Sequence, residues 1–359
     1  MDKEDIIEIL KKGADTWNKW RLENFEQSCI LMGANLCGVD LSGVNLNSTD
    51  LRKANLKEAK FNRTDLRDAD LSGADLSKAN LVVAKLNGAN LTDANLSGAM
   101  LGGANLSKAN FSRANFNGAF LTGVIGLREA NLSGAELRGA ELFGADLTWA
   151  KFTGENLTGV SFSEANLSGT DLSKSNLTNA NLTMANLNET NLSETNLSRA
   201  DLTNATLIKA TLIKADLQGA TLNNANLTGA NLIGANLKGA DLRRATLNGA
   251  NLSKADLSGV NLSEANLIEA ELCKANLRRA DLTWATLIGA DLTRTDLKES
   301  NLSRADLSEA NLSKADLSGA DLSKTVMVWS NVQYAKMMNC RIYGISAWDV
   351  KFNEKTKQQ

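Results

Sequence analysis

Residues 225–259 read ANLTG-ANLIG-ANLKG-ADLRR-ATLNG-ANLSK-ADLSG, so a leucine returns at every fifth position. The same spacing runs, with few changes, from Leu31 to Phe352. On an α-helix, five residues advance about 140° beyond one full turn, so these leucines would spiral around the helix and share no face. On one long strand, side chains alternate with a period of two, so successive leucines would point to opposite faces. The repeat therefore excludes a long helix and a long strand.

The spacing of five instead predicts a chain that coils. Each unit would form a short extended piece and a bend, with its small residue and the leucine two positions later both pointing inward. Leucine would fill the axis, alanine would let the walls approach, and coils would stack about 4.8 Å apart, the usual distance between strands. The asparagine or aspartate before each leucine is expected to form ladders that bond neighbouring turns, a structural role rather than metal binding.

Several units also resemble a known family. Ala-Asn-Leu-Ser-Gly at 130–134, Ala-Asn-Leu-Thr-Gly at 225–229 and Ala-Asp-Leu-Ser-Gly at 315–319 resemble the A(D/N)LxG units of pentapeptide-repeat proteins. The resemblance covers roughly residues 29–352. It implies an all-β fold, a right-handed quadrilateral parallel β-helix with four units per coil, in which the leucine and the preceding alanine lie inside.

The composition argues against several function classes. The chain of 359 residues has no proline and no histidine. Without histidine there is no imidazole for acid–base work, no Ser–His or Cys–His nucleophile pair and no histidine-containing zinc site. The sequence also lacks a phosphate-binding loop and a CxxC pair. We therefore expect no enzyme, with no catalytic residues, no cofactor and no metal.

Charge and hydropathy bear on partners and location. The net charge is −2, from 39 basic and 41 acidic residues, so neither nucleic acid nor a membrane is an expected partner. No signal peptide or spanning segment is recognisable, so a cytoplasmic location is expected.

The first 25 residues follow a different pattern. Ile6, Leu10, Ala14 and Trp17 have helical spacing, and Asp2 stands where an N-cap would. We predict an amphipathic cap over residues 1–25 that covers the first coil. The segment WNKWR, residues 17–21, resembles the leaders of many bacterial pentapeptide-repeat proteins. The alternative is that its tryptophans bind a partner.

The remaining chain divides into four predicted parts. A first repeat block covers 26–123, and a second covers 124–325, after one residue has been inserted near Gly126. We expect that insertion to form a bulge at a corner. Degenerate coils follow at 326–352, and a polar tail at 353–359.

Aromatic residues concentrate around the inserted residue. Phe120, Phe143 and Trp149 fall at outward positions, and Glu155 takes an inward position usually held by alanine. Because exposed aromatics often anchor interfaces, these four residues are a candidate partner-binding site. The alternative is a local kink, with Glu155 displaced into solvent and covered by the aromatics.

Residues twenty apart should share one side of the coil. Lys254, Lys274, Arg294 and Lys314 then form a candidate basic ladder. Like charges about 5 Å apart repel, so either neighbouring acids such as Glu271 and Asp291 neutralise the row or a phosphate-bearing ligand does.

The segment 340–350 resembles one found in repeat proteins that continue into an α/β domain, often a TIR-like one. Tyr343 and Trp348 are therefore candidate docking residues. The alternative is that they simply close the last coil.

These observations favour a non-enzymatic rod that binds or organises a protein partner, with possible self-association through the coil ends. The resemblance also admits a DNA-mimic modulator of DNA gyrase, although the near-neutral charge weakens that case. Two further alternatives are the sensing arm of a longer protein with a TIR-like effector domain, and a regulator of cell development that binds one protein.

Overall fold

The computed structural model describes residues 3–24, 30–127, 132, 134–353 and 355–358. The chain divides into two compact units, residues 1–171 and 172–359. Unit 1 begins with helices α1 (Lys3–Lys11) and α2 (Ala14–Glu23), and unit 2 ends with the parallel strands β1 (Lys336–Met337) and β2 (Lys357–Gln358). Between these elements each unit is a right-handed quadrilateral β-helix, which confirms the predicted fold class.

Four pentapeptides make one coil in both units. Paired positions lie 20 residues apart, as in the parallel pairs Asn35–Asn55 and Asn236–Asp256. Leu227 N–H, for example, donates to the carbonyl of Thr246 at 2.7 Å, one coil further along. The Leu227 side chain is fully buried, as predicted for the central leucines. Hydrophobic burial and coil-to-coil hydrogen bonds therefore repeat together.

A tight turn ends each side of the coil. The carbonyl of Leu227 accepts the N–H of Ala230 at 3.0 Å, and the third turn residue, Gly229, has a φ of 64°. A positive φ at this position is typical of type II turns. Each pentapeptide thus buries its alanine and leucine and leaves three positions facing outward.

Helix α2 covers the first coil of unit 1 and confirms the predicted helical cap. Trp17 is fully buried, and its Nε1 donates to the carbonyl of Asn45 at 2.6 Å. Asn18 accepts the N–H of Asn45 at 2.8 Å and donates to the carbonyl of Gly43 at 3.0 Å. The cap consists of two helices because the chain bends at Gly13, whose φ is 96°. The predicted N-cap, Asp2, lies outside the described residues.

The pairing register changes by one residue in unit 1. Phe120 pairs with Glu141, 21 residues later, whereas Met100 pairs with Phe120 at the usual 20. Gly126 lies in this coil with a φ of 88°, and a Cβ there would stand 2.1 Å from Ser107 Oγ and 2.5 Å from Ser107 N. Only glycine fits this position.

The coil continues through the degenerate C-terminal sequence of unit 2. Val326 pairs with Ser346, and Asn331 with Lys351. The residues at the central positions of the last coil are not buried, however: Ile342 is 58% exposed and Phe352 is 69% exposed. We call residues 341–352 the C-terminal end coil.

Candidate functional site

Leucine, phenylalanine and alanine side chains fill the interior of the described coils. Contacts with other molecules must therefore use the three outward positions of each pentapeptide: the residue before the leucine and the two after it. At the first of these, asparagine and aspartate serve the backbone. Asp70 Oδ1 accepts the N–H of Ser72 at 3.0 Å, and Asn236 Nδ2 donates to Asp216 Oδ1 one coil away at 2.8 Å. Among the described residues, no group of three or more Cys, Asp or Glu side chains is placed to hold a metal ion.

Phe120 and Phe143 lie on the same side of neighbouring coils in unit 1. Phe120 immediately precedes the central Leu121, and the N–H of Gly123 in the same pentapeptide donates to the Phe143 carbonyl at 3.4 Å. Their side chains are 44% and 43% exposed. The structure therefore brings these two predicted site residues together at the surface.

Two further apolar side chains extend the same side over the preceding coils. Met100, paired with Phe120, is 40% exposed, and Val83 is 51% exposed. Val83 stands beside Gly103, whose missing Cβ would lie 3.7 Å from Val83 Cγ2. We call Val83, Met100, Phe120 and Phe143 the apolar side. The sequence analysis missed Val83 and Met100, although the 20-residue spacing between Met100 and Phe120 carried the signal.

Trp149 and Glu155 are not part of the apolar side. Trp149 belongs to the next pentapeptide, 145–149, and Glu155 to the third, 155–159. Glu155 is half-buried, and its Oε1 accepts the N–H of Gly134 at 2.6 Å. The carboxylate thus bonds the backbone of the preceding coil and is not displaced into solvent.

Exposed aromatics at the last turn position rest on the residue one coil later. The ring of Trp149 covers Gly169, where a Cβ would come within 2.5 Å of the indole. In unit 2, the guanidinium of Arg304 lies 4.6 Å from the ring centroid of Trp284. Trp149 remains 52% exposed and Trp284 55% exposed. The sequence analysis did not single out Trp284, because only the 20-residue step reveals its contact with Arg304.

The basic ladder forms as the 20-residue spacing predicts. Lys254, Lys274, Arg294 and Lys314 occupy the same turn position on four successive coils of unit 2, with φ values of 62°, 60°, 60° and 63°. All four side chains are exposed. Within the described residues none of them forms an ion pair, and Lys314 Nζ lies 5.9 Å from the ring centroid of Tyr334.

The acids that were expected to neutralise the ladder are hydrogen-bonded elsewhere. Glu271 Oε2 accepts from Asn251 Nδ2 at 2.5 Å, and Asp291 Oδ1 accepts the N–H of Thr293 at 3.0 Å. Neither carboxylate is paired with a ladder cation.

Acids on the other flank have their own cations. Asp296 and Asp316 lie 3.4 and 3.2 Å from Lys298 Nζ, and Asp316 lies 3.6 Å from Lys336 Nζ. Burial raises the pKa of Asp316, but hydrogen bonds from Ser318 and Lys298 outweigh it, so the pKa lies below its ordinary value. This column of charges is internally balanced and leaves the ladder positive.

Tyr343 and Trp348 occupy outward positions of the C-terminal end coil and are 72% and 73% exposed. Beside them, the uncovered interior of the coil forms an apolar depression of about 570 Å³, lined by residues that include Met337, Ile342 and Phe352. Among the described residues, nothing covers this end.

Comparison with known families agrees with this geometry. A family model described as pentapeptide repeats matches eight stretches, at residues 29–68, 54–93, 64–101, 89–125, 127–154, 225–263, 255–294 and 290–327. A second model, described as a pentapeptide repeat region, matches residues 155–232. No curated protein matches the chain in sequence.

Three solved structures illustrate the similarity. HetL, a pentapeptide repeat protein involved in heterocyst differentiation regulation from the cyanobacterium Nostoc sp. strain PCC 7120, is 39% identical; the match covers 52% of this chain and 90% of HetL, with a TM-score of 0.26. A pentapeptide repeat protein from the Arabidopsis thaliana thylakoid lumen is 30% identical over 32% of this chain and 62% of its own, with a TM-score of 0.18. QnrB1, a plasmid-mediated fluoroquinolone resistance protein, is 18% identical over 57% of this chain and 90% of its own, with a TM-score of 0.28. Because the matched repeats extend from residue 29 to residue 327, the chain belongs to the pentapeptide-repeat family.

Proposed function

We propose that this chain is a non-enzymatic binding protein that contacts a protein partner through the apolar side of unit 1. The observation that carries the proposal is the alignment of four exposed apolar side chains, Val83, Met100, Phe120 and Phe143, on one side of successive coils. A regulatory role exerted through protein binding would agree with the part that HetL plays in heterocyst differentiation.

The fold itself has no use for these side chains. Val83 is a β-branched residue with a φ of 58°, a conformation that costs about 1–2 kcal/mol for residues other than glycine. Phe120 takes a position where asparagine or aspartate would bond the turn, as Asp70 does with Ser72. Residues that weaken the coil while exposing apolar surface indicate a role in binding.

The shape of the apolar side suits a protein better than a small molecule. Gly102, Gly103 and Gly123 lie between the apolar side chains and leave the surface flat. Small ligands are usually bound in concave pockets, whereas aromatic residues and methionine are enriched at protein interfaces. Two phenylalanines and a methionine on a flat surface match the second case.

The double substitution Phe120→Asn and Phe143→Ser tests this proposal. Both new residues are those that the repeat normally carries at these positions, so the coil should remain intact. The full chain would be used as bait in an extract of the organism that encodes it. We expect the double variant to lose a specific protein that the unsubstituted chain retains.

Ile125→Thr is the matched control, because Ile125 is 59% exposed on the adjacent side and threonine is common at its position. This control should keep the protein. Recovery of the same proteins by all three baits would contradict the proposal.

A second candidate function, self-association through the C-terminal end coil, is favoured by the exposure of Ile342 and Phe352 at positions that are buried in other coils. Sedimentation analysis should show dimers that Ile342→Asp abolishes. Tyr343→Ser, at a neighbouring outward position, should leave the dimers unchanged. A monomer at all concentrations would rule out this assembly.

A further inference from the structure

We propose that the basic ladder of unit 2 binds a narrow, linear phosphate polymer laid along the stacked coils, with inorganic polyphosphate as the simplest example. This site is separate from the apolar side and does not depend on the function proposed for it. Four cations on four successive coils, Lys254, Lys274, Arg294 and Lys314, form the site.

The ladder carries charge that the chain itself does not balance. Coils stack about 4.8 Å apart, so neighbouring ladder cations repel one another unless an anion lies between them. Elsewhere in unit 2, closely spaced cations are paired: Arg244 with Glu264 at 2.9 Å, and Arg278 and Arg279 with Glu299 at 2.6 and 2.7 Å. The unpaired row therefore stands out against its surroundings.

The flanks of the ladder set the width of the ligand. Glu271 and Asp291 stand three residues before ladder cations, and Asp296 and Asp316 stand two residues after them. Although each of these acids is bonded to another group, each remains an anion and would repel a broad polyanion. A polymer without bulky side groups can contact the ladder and avoid both flanks.

The spacing and the neighbouring side chains distinguish phosphate polymers from other linear polyanions. An extended acidic peptide presents side chains on one face only about every 6.6–6.8 Å, so its carboxylates would fall out of step with the coils. Single-stranded nucleic acid is usually held by aromatic side chains on which successive bases stack. Within the ladder there is none, and Tyr334 stands only at its end. The flexible linkages of polyphosphate let a phosphate face every rung, and lysine binds phosphate well as a point charge.

The test compares the full chain with a ladder variant in which Lys254, Lys274, Arg294 and Lys314 are all replaced by asparagine. Asparagine already occupies this turn position with the same backbone conformation at Asn179, Asn204 and Asn224. Medium-chain polyphosphate is titrated at several salt concentrations, and the affinity is measured by calorimetry. Four phosphate contacts predict a slope of log affinity against log salt of about −2.8, from about −0.7 per contact for a single strand. The ladder variant should bind at least about 10-fold more weakly, with a slope near zero.

The matched control removes the same charge from the same turn position on other sides of the coil, by replacing Arg199, Arg244, Arg279 and Arg304 with asparagine. It should bind polyphosphate within about 3-fold of the unsubstituted chain, whereas Lys274→Arg should bind as the unsubstituted chain does. Circular dichroism checks the fold, and the double variant Lys274→Asn with Arg294→Asn replaces the fourfold ladder variant if the latter is unfolded.

Three results would overturn the proposal. The first is no binding of polyphosphate by the unsubstituted chain. The second is an equal loss of affinity in the ladder variant and its control. The third is tighter binding of oligothymidylate or polyglutamate than of polyphosphate, which would assign the ladder to a nucleic acid or to an acidic protein.

Discussion

Serine and threonine replace alanine at several inward positions, where their hydroxyls need a partner. Thr64 Oγ1 donates to the carbonyl of Leu41 at 2.6 Å, and Ser175 Oγ donates to the carbonyl of Leu172 at 2.6 Å. Thr49 is buried in the same way, but its Oγ1 has no hydrogen-bond partner in the described part of the chain. A buried hydroxyl that makes no hydrogen bond destabilises the fold.

Replacing Thr49 by valine should therefore stabilise unit 1 by about 1 kcal/mol, since the unsatisfied hydroxyl disappears. Valine fits this kind of position, as Val44 and Val260 are each 1% exposed. Thr64→Val should destabilise by about 1 kcal/mol, because it removes a hydrogen bond. Chemical denaturation of both variants measures the difference, and a reversed order would show that the Thr49 hydroxyl is satisfied in solution.

A second prediction at this scale concerns backbone strain at Val83. Val83→Gly should stabilise the fold by roughly 0.5–1 kcal/mol, because the relief of left-handed strain exceeds the added backbone entropy of glycine. Val82→Gly, one residue earlier and without a positive φ, should destabilise it. Thermal denaturation decides the matter: a lower midpoint for Val83→Gly would mean that the valine packs favourably.

At the scale of the elements, a single coil depends on Gly126. Gly126→Ala would press a methyl group against the backbone of Ser107 and should cost more than about 2 kcal/mol. Gly123→Ala is the control, because Gly123 also has a positive φ of 64° but has nothing within 4 Å of the added carbon. It should cost only the left-handed strain, about 1 kcal/mol. Equal losses, measured by denaturation, would show that the coil can shift away from the clash.

Helix α2 replaces a missing coil through side chains. Asn18→Ala would leave the Asn45 N–H and the Gly43 carbonyl without their partners, at a cost of about 1–3 kcal/mol. Hydrogen exchange should accelerate first at residues 41–47, since end coils have a neighbour on one side only. Lys19→Ala, at an exposed position of α2, should leave exchange there unchanged. Uniform acceleration throughout unit 1 would instead mean that the cap controls the whole unit.

For the molecule as a whole, the absence of histidine makes stability insensitive to pH between about 5.5 and 7. Burial raises the pKa of Asp65, but hydrogen bonds from Arg67 lower it further, so the folded pKa is below the ordinary value. The same balance holds at Asp241, where the opposing bonds come from Arg243 and Asn223. Carboxyls with lowered pKa values stabilise the fold above their unfolded pKa near 3.9, and this contribution is lost as the pH falls through the folded pKa. Melting temperatures should be constant from pH 5.5 to 7 and fall below about pH 4; a decline already at pH 6 would contradict this expectation.

Most of the architecture could be predicted from the sequence, because one period determines it. A leucine at every fifth residue gave the coil, and the 20-residue step placed Lys254 above Lys274 and Phe120 near Phe143. The grouping of Trp149 and Glu155 with the phenylalanines did not follow from nearness in sequence, since a few residues are enough to reach another side of the coil. Met100 was missed for the converse reason: its neighbour Phe120 is 20 residues away.

The sequence by itself determined what lies inside. Leucine and alanine are buried because no other arrangement removes so regular a set of apolar side chains from water. Only the tertiary structure decided what each outward residue contacts. Glu155 finds the Gly134 amide, Glu271 binds Asn251 and not a ladder lysine, and Ile342 lies open at the end of the coil. Burial depends on a period that the chain repeats, whereas polar contacts depend on which side chains meet across coils, and those meetings are set by the closed geometry of the coil.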